Sequence, residues 1–162
     1  MHTEPESLAG SDESLPILAE ATVSFAVFSL ARSHRVVAAE LLSPLGLHPS
    51  QEILLMRLWQ HDGQSQKDLT RCLGIDQSTV ARTVQRMESG GLVSRLASVT
   101  DGRVSLVYLT DRGRALREGV TEAWKSLEQR TISALTPAEQ EQFIALAHKM
   151  ESTLDAGADP QR

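Results

Sequence analysis

Leu73-Gly74-Ile75-Asp76-Gln77-Ser78-Thr79-Val80-Ala81-Arg82-Thr83-Val84-Gln85-Arg86-Met87 carries the signals of one helix ending, a tight turn, and a second helix starting. Glycine closes helices in the left-handed conformation, and aspartate is a strong N-cap. At about 100° per residue, Val80, Val84 and Met87 fall within about 60° of one another, with small Ala81 at the edge. They face a core. Ser78, Thr79, Arg82, Thr83, Gln85 and Arg86 fill the opposite arc, and no carboxylate follows until Glu88. Solvated helix faces usually mix both signs of charge. This one offers short hydroxyls at its start and two arginines one turn apart, as a helix meeting a polyanion requires.

The flanks extend this unit. Ser65 caps a short third helix that ends at Gly74, so two helices joined by a four-residue turn form a helix-turn-helix. After Gly90-Gly91 come two strand-like runs, Leu92–Ala97 and Val104–Leu109, joined by residues 98–103 with Asp101-Gly102 at the bend. A hairpin directly after a helix-turn-helix is a wing, and Arg103 at its tip suits the narrow minor groove. Upstream, His48-Pro49-Ser50-Gln51 reads as a cap, a proline at the first helical position and a capping-box glutamine; that second helix runs to about His61 and stops at Asp62-Gly63.

Long helices lie outside the winged unit. Ser14 and Pro16 open a first helix that persists to about Ser43, and its Ala21–Ala31 stretch is too apolar to stand alone in water. Thr110 opens a fifth helix with Leu116, Val120, Trp124 and Leu127 on one stripe. Thr136-Pro137-Ala138-Glu139 is a capping box opening a sixth, with Phe143, Leu146, Met150 and Leu154 at helical spacing. The expected fold is mainly α with a small β-hairpin wing: a winged helix-turn-helix over 47–110 and a helical dimerisation region from 14–45 and 111–157. Residues 1–13 read as a disordered acidic tail. One winged domain cannot cover so much apolar surface, which points to a homodimer.

Charge and composition narrow the function. The 162 residues carry a net charge of −5, yet residues 64–103 hold six basic and four acidic side chains. The basic middle between acidic flanks is a candidate nucleic-acid footprint on a chain that is not globally basic. No charge-free run, Ala21–Ala31 included, approaches the roughly 20 residues that span a bilayer. Residues 1–20 hold five acidic residues and no Lys or Arg, unlike a signal peptide, so the expected location is cytoplasmic. A single cysteine, Cys72, excludes a disulfide framework and is expected in the core as a small buried residue. The five histidines show no ligand spacing, and no metal or other cofactor is expected; His48 and His61 read as helix-end residues. With no phosphate loop, nucleophile elbow or paired carboxylates, the chain reads as a non-enzyme. The alternative to DNA binding is a winged-helix protein-interaction module, which would expose apolar anchors on the fourth helix.

Five segments together resemble the MarR family of regulators: Ser65-Gln66-Lys67-Asp68-Leu69, Leu73 through Arg82, Met87-Glu88-Ser89-Gly90-Gly91-Leu92-Val93-Ser94-Arg95, Asp101-Gly102-Arg103, and Leu109-Thr110-Asp111-Arg112-Gly113. The similarity spans about residues 15–155. It implies a homodimeric winged helix-turn-helix transcriptional regulator, most often a repressor, that binds double-stranded DNA at a pseudo-palindromic operator. It places base contacts on Gln77, Ser78, Thr79, Arg82, Thr83 and Arg86, and a wing contact on Asp101 and Arg103. Ser65 and Gln66, at the start of the third helix, join the DNA-binding set. The family often has Asp-Pro before the wing motif; here the positions read Ser98-Val99. The resemblance also implies a small aromatic or phenolic effector held between the dimer helices and the winged domain. Phe25, Phe28, His34 and Trp59 are the candidates for that pocket, against the plainer alternative of core or dimer-seam residues.

Overall fold

The computed structural model describes residues 21–99 and 103–157. The expected acidic tail, the Ser14 cap with Pro16, and Asp101-Gly102 at the wing bend lie outside the described residues. The architecture is mainly helical with one small antiparallel sheet.

Helix α1, Thr22–Leu42, runs into a short 3-10 turn, Ser43–Leu45, where Pro44 cannot continue the α-helical ladder. Gly46 closes that turn with φ +70°. Helix α2 is Gln51–Gln60. It starts later than the His48-Pro49 signal suggested: Ser50, at φ +87°, is the residue before the helix, and its side chain makes no cap. One half of the expected capping box is present, since Gln51 Oε1 accepts from the His48 amide at 2.9 Å. Leu54, Leu55 and Leu58 are the buried apolar residues of α2, Gln51 and Glu52 at its start are buried too, and Ile53, Met56 and Trp59 are only partly covered.

Strand β1, Gln64–Ser65, is followed by α3, Gln66–Leu73, and α4, Gln77–Ser89. Strands β2, Val93–Ala97, and β3, Ser105–Leu109, form the hairpin with Val93 opposite Leu109 and Ala97 opposite Ser105. The sheet has three strands in the order β1-β3-β2, because Gln64 and Ser65 pair antiparallel with Val107 and Leu106. The sequence reading had two strands. A two-residue polar strand carries no alternation to detect, and its partner lies some 40 residues away in the chain.

Thr110 caps α5, Asp111–Ala115, accepting from the Gly113 amide at 3.1 Å. The single fifth helix expected from the sequence is interrupted at Leu116, and α6 continues over Arg117–Ile132. The Gly113 carbonyl, which would accept from the Arg117 amide in an unbroken helix, accepts Trp59 Nε1 at 3.1 Å. Gly113 also lies so close to the Leu92 backbone that a Cβ there would stand 2.1 Å from the Leu92 carbonyl oxygen. Packing of α5 onto α2 and the start of β2 therefore sets its direction independently of α6. Helix α7, Pro137–Gly157, opens on the expected capping box: Glu139 Oε2 accepts from the Thr136 amide at 2.8 Å, and Thr136 Oγ1 from the Glu139 amide at 3.4 Å.

One core joins these elements, with Leu42, Leu55, Leu69, Val84, Met87, Val107 and Val120 buried in a continuous cluster. The α6 stripe is part of this intrachain packing: Val120 and Leu127 are buried and Leu116 and Trp124 partly so, against Ala38 and Leu42 of α1. It is not the free seam the sequence suggested. The other two stripes are open. Phe28 is 62% exposed on α1, and Phe143, Leu146, Met150 and Leu154 are exposed along α7. Among the described residues no helix is long and apolar enough to cross a membrane.

Candidate nucleic-acid interface

The α3–α4 corner is built by caps. Ser65 Oγ accepts from the Asp68 amide at 3.1 Å and donates to Asp68 Oδ2 at 2.7 Å. Gly74, at φ +62°, ends α3, where a side chain would strain the left-handed backbone. Asp76 then caps α4, its Oδ1 accepting from the Thr79 amide at 2.9 Å and from Ser78 Oγ at 2.5 Å. Those bonds, that from Ser78 foremost, hold the Asp76 carboxyl far below the usual carboxylate range.

Val80, Val84 and Met87 seat α4 on the core, each at most 2% exposed. The reverse face presents Gln77, Ser78, Arg82, Gln85 and Arg86 to solvent, with Thr79 and Thr83 half-buried at its margins. Glu88, the carboxylate that closes this face, accepts from Arg95 Nε at 2.9 Å and from Arg95 Nη2 at 2.5 Å. The Arg95 guanidinium lowers the Glu88 carboxyl below its ordinary range. The pair also ties the end of α4 to wing strand β2.

Not every sequence candidate reaches the same surface in the same way. Ser65 and Gln66 are half-buried, and the Ser65 hydroxyl is engaged by Asp68. Arg103 is exposed just before β3. Asp101, its expected partner, lies outside the described residues. Exposed Lys67 and Arg71 on α3 were not singled out; Arg71 Nη2 donates to Asp68 Oδ1 at 2.7 Å. The sequence also gave no reason to notice the anchoring of the wing base. Arg112 Nη1 donates to the Gly90 carbonyl at 2.9 Å and Thr110 Oγ1 to the Gly91 carbonyl at 2.7 Å.

The four effector-pocket candidates do not converge. Phe25 and Phe28 stack on each other, ring centroids 6.4 Å apart, on the exposed face of α1, and His34 is exposed farther along the same helix. Trp59 packs on the core with its ring nitrogen on Gly113. A surface groove of about 510 Å³ is lined by Arg114, Arg117, Thr121 and Lys125 with Glu118 and Glu122, and none of the four contributes to it. Cys72 is exposed, not buried: Leu69 takes the inward position of α3, and Arg57 Nη2 donates to Cys72 Sγ at 3.3 Å. Two buried polar atoms are without partners among the described residues, Glu52 Oε2 on α2 and Trp124 Nε1 on α6. Burial raises the Glu52 carboxyl above its usual range, against the opposing pull of nearby backbone amides and Arg35.

Comparison with known proteins fits this geometry. The model of the MarR family matches residues 47–105, the span from the approach to α2 through the start of β3. The chain's winged unit carries a MarR-family domain. The HTH-type transcriptional repressor Rv2887 of Mycobacterium tuberculosis is 29% identical over 133 residues, covering 82% of this chain and 96% of that protein. A crystal structure of a mutant MarR from E. coli complexed with operator DNA superposes with a TM-score of 0.78 at 25% identity, covering 85% of this chain and 99% of that one. BpsR of Bordetella bronchiseptica, solved in a study of how 6-hydroxynicotinic acid regulates its DNA binding, superposes at 0.73 with 27% identity, covering 80% and 98%. The chain thus shares its winged fold with transcriptional regulators, and the relatives it matches are named as regulators.

Proposed function

We propose that the chain is a sequence-specific DNA-binding regulator, a repressor acting as a homodimer on a pseudo-palindromic operator and released by a small-molecule effector. The outer face of α4 carries this reading. Gln77, Ser78, Arg82 and Arg86 stand exposed on a helix fixed by three buried residues, and Glu88, the carboxylate that follows them, is held by Arg95. Exposed apolar anchors, the mark of a protein-docking helix, are missing from that face. Residues 47–110 act as the reading head, and 14–45 with 111–157 as the dimer region. The open stripes of α1 and α7 support a second copy there, which brings two reading heads to half-sites about one helical turn apart. Gln77, Ser78, Thr79, Arg82, Thr83 and Arg86 enter the major groove, Ser65 and Gln66 lie against its edge, and Asp101 with Arg103 reaches the minor groove.

The effector reading rests on BpsR and on the junction between α1, α2 and α6, where Glu52 and Trp124 leave buried polar atoms unmatched. A ligand that fits only one arrangement of the reading heads lowers operator affinity by its differential affinity, typically about 1–3 kcal/mol. The test is a fluorescence-anisotropy titration of the full chain against duplexes enriched from a random library and against random duplex, at several salt concentrations. Selective binding with two symmetric half-sites is expected. Equal affinity for every duplex, or none, would overturn the reading.

A further inference from the structure

The hydroxyls at the start of α4 are drawn to Asp76, and that imposes a chemistry on what the helix can read. Ser78 Oγ donates its hydrogen to Asp76 Oδ1 at 2.5 Å, in a charge-assisted bond within one short turn. Its oxygen is left with lone pairs only. Phosphate oxygens also only accept, so they cannot bond this hydroxyl while Asp76 holds its hydrogen. The ionised Asp76, itself exposed two residues away, further repels phosphate. The Thr79 side chain is drawn to the same carboxyl, and its Oγ1 also accepts from Arg82 Nη2 at 3.5 Å.

One and two turns on, Arg82 and Arg86 offer donors alone. The exposed face therefore changes polarity along its length, acceptors at Asp76 and Ser78 and donors at Arg82 and Arg86. In the major groove the base-edge hydrogen-bond donors are cytosine N4 and adenine N6, whereas guanine O6 and N7 are the acceptors that fit an arginine fork. Resting on the DNA-binding reading above, we propose that Ser78 is a specificity-determining residue that accepts from a base amine, with Asp76 as the positioning residue that keeps its oxygen an acceptor. Arg82 lies four residues on, about 6 Å along the helix, which is less than two base-pair steps. Each half-site accordingly pairs an amine-bearing base edge with a guanine one or two positions away.

The experiment uses the full chain and the duplex most enriched from a random library. At each half-site position, cytosine is replaced by its analogue lacking the N4 amine, or adenine by purine lacking the N6 amine. Binding is measured for the parent, Ser78→Ala and Asp76→Asn. At one position, amine removal should weaken the parent by about 5–30-fold, the size of one well-made polar contact in a desolvated interface. Ser78→Ala should lose less than about 2-fold there, because its contact is already gone; this comparison also cancels any effect of the analogue on base pairing. Asp76→Asn, which keeps a capping oxygen, should retain the fold by circular dichroism while the discrimination shrinks. If Ser78→Ala instead loses affinity equally on every duplex, with a shallower salt dependence, Ser78 is a phosphate donor and the inference falls while the DNA-binding reading stands. A library that yields no enriched duplex overturns the DNA-binding reading itself.

Discussion

Arg114 Nη1 donates to Asp62 Oδ2 at 2.8 Å across 52 residues of sequence, and the other oxygen of that carboxylate accepts the Leu109 amide at 2.9 Å. Asp62 lies just beyond α2, Leu109 ends the wing, and Arg114 belongs to α5, the start of the link to α6. One side chain thus fastens the wing to the helices that carry the reading head. Arg114 Nη2 closes the arrangement by donating to the Leu109 carbonyl at 3.1 Å. Asp62→Ala should destabilise the fold by about 1–3 kcal/mol, because it leaves the half-buried Leu109 amide and one arm of the Arg114 guanidinium without an acceptor. Asp62→Asn retains the backbone bonds and loses only the ion pair, whose arginine is about half exposed, so about 0–1 kcal/mol is expected. Urea unfolding of the two variants separates these outcomes; equal losses would assign the effect to the ion pair instead.

Gly113 gives a sharper steric test. An added methyl would meet the Leu92 carbonyl oxygen at 2.1 Å, and that obstacle is backbone rather than a movable side chain. Gly113→Ala should cost about 3 kcal/mol or more, the upper range for overpacked sites. The neighbouring Ala115→Gly serves as a control, since Ala115 is exposed and a loss near 1 kcal/mol follows from helix propensity, on the order of its short-helix limit. Thermal melts of the two would rank them; a Gly113→Ala protein as stable as the parent would mean that α5 shifts freely.

The parts of the fold that were legible in the sequence are those written in local chemistry. Ser65, Gly74, Asp76, Thr110 and Thr136 mark helix ends through bonds to residues three or four positions away, so their roles follow from spacing alone. The inward set of α4 follows from periodicity. What escaped was decided at long range. The break at Leu116 depends on Trp59 reaching Gly113, and β1 exists because Val107 offers it a partner. Cys72 misled because one neighbour, Leu69, already occupies the inward face of a short helix. At the interface, the residue types on α4 were readable, but the pairing of Ser78 with Asp76 and of Glu88 with Arg95 needed coordinates.

Glu52 should make stability fall as pH rises. Its carboxyl is raised by burial, so the folded chain binds a proton more tightly than the unfolded chain does. The penalty of ionising it is absent below the ordinary value of 4.5, grows as pH rises through the raised one, and is fully present above it. Glu52→Gln should therefore unfold at a higher temperature than the parent near pH 8, with the gap closing towards pH 4. Melting curves across that range check it. A gap that is constant with pH would show that Glu52 is not the titrating group.

Phe28→Asp combined with Leu146→Asp places a carboxylate on each open apolar stripe, where Phe28 is 62% and Leu146 50% exposed in the single chain. If these faces meet in a second copy, each charge is forced into an apolar seam at a cost of several kcal/mol. Sedimentation should then move from the mass of two chains to that of one, or to unfolded chain if the monomer cannot stand alone. A double variant that still sediments as a dimer would place the contact elsewhere.

Arg82 and Arg103 divide base reading from shape reading. Arg82 is exposed on the outer face of α4, and Arg103 is exposed at the base of the wing bend. If Arg82 forks onto a guanine, Arg82→Ala should cost about 1–3 kcal/mol on the selected duplex and relax preference at one base pair. Random duplex should feel only the loss of one phosphate-attracting charge. Arg103→Ala should act differently, weakening binding most where the flanks are A/T-rich with a narrow minor groove, and leaving preference at the central bases unchanged. The measurement is the affinity of both variants over a panel of single-base changes in the selected duplex at fixed salt. Arg82→Ala losses that are equal on selected and random duplex would reduce that residue to a phosphate contact. Guanine reading would then fall to Arg86, the other exposed arginine one turn farther along the same face.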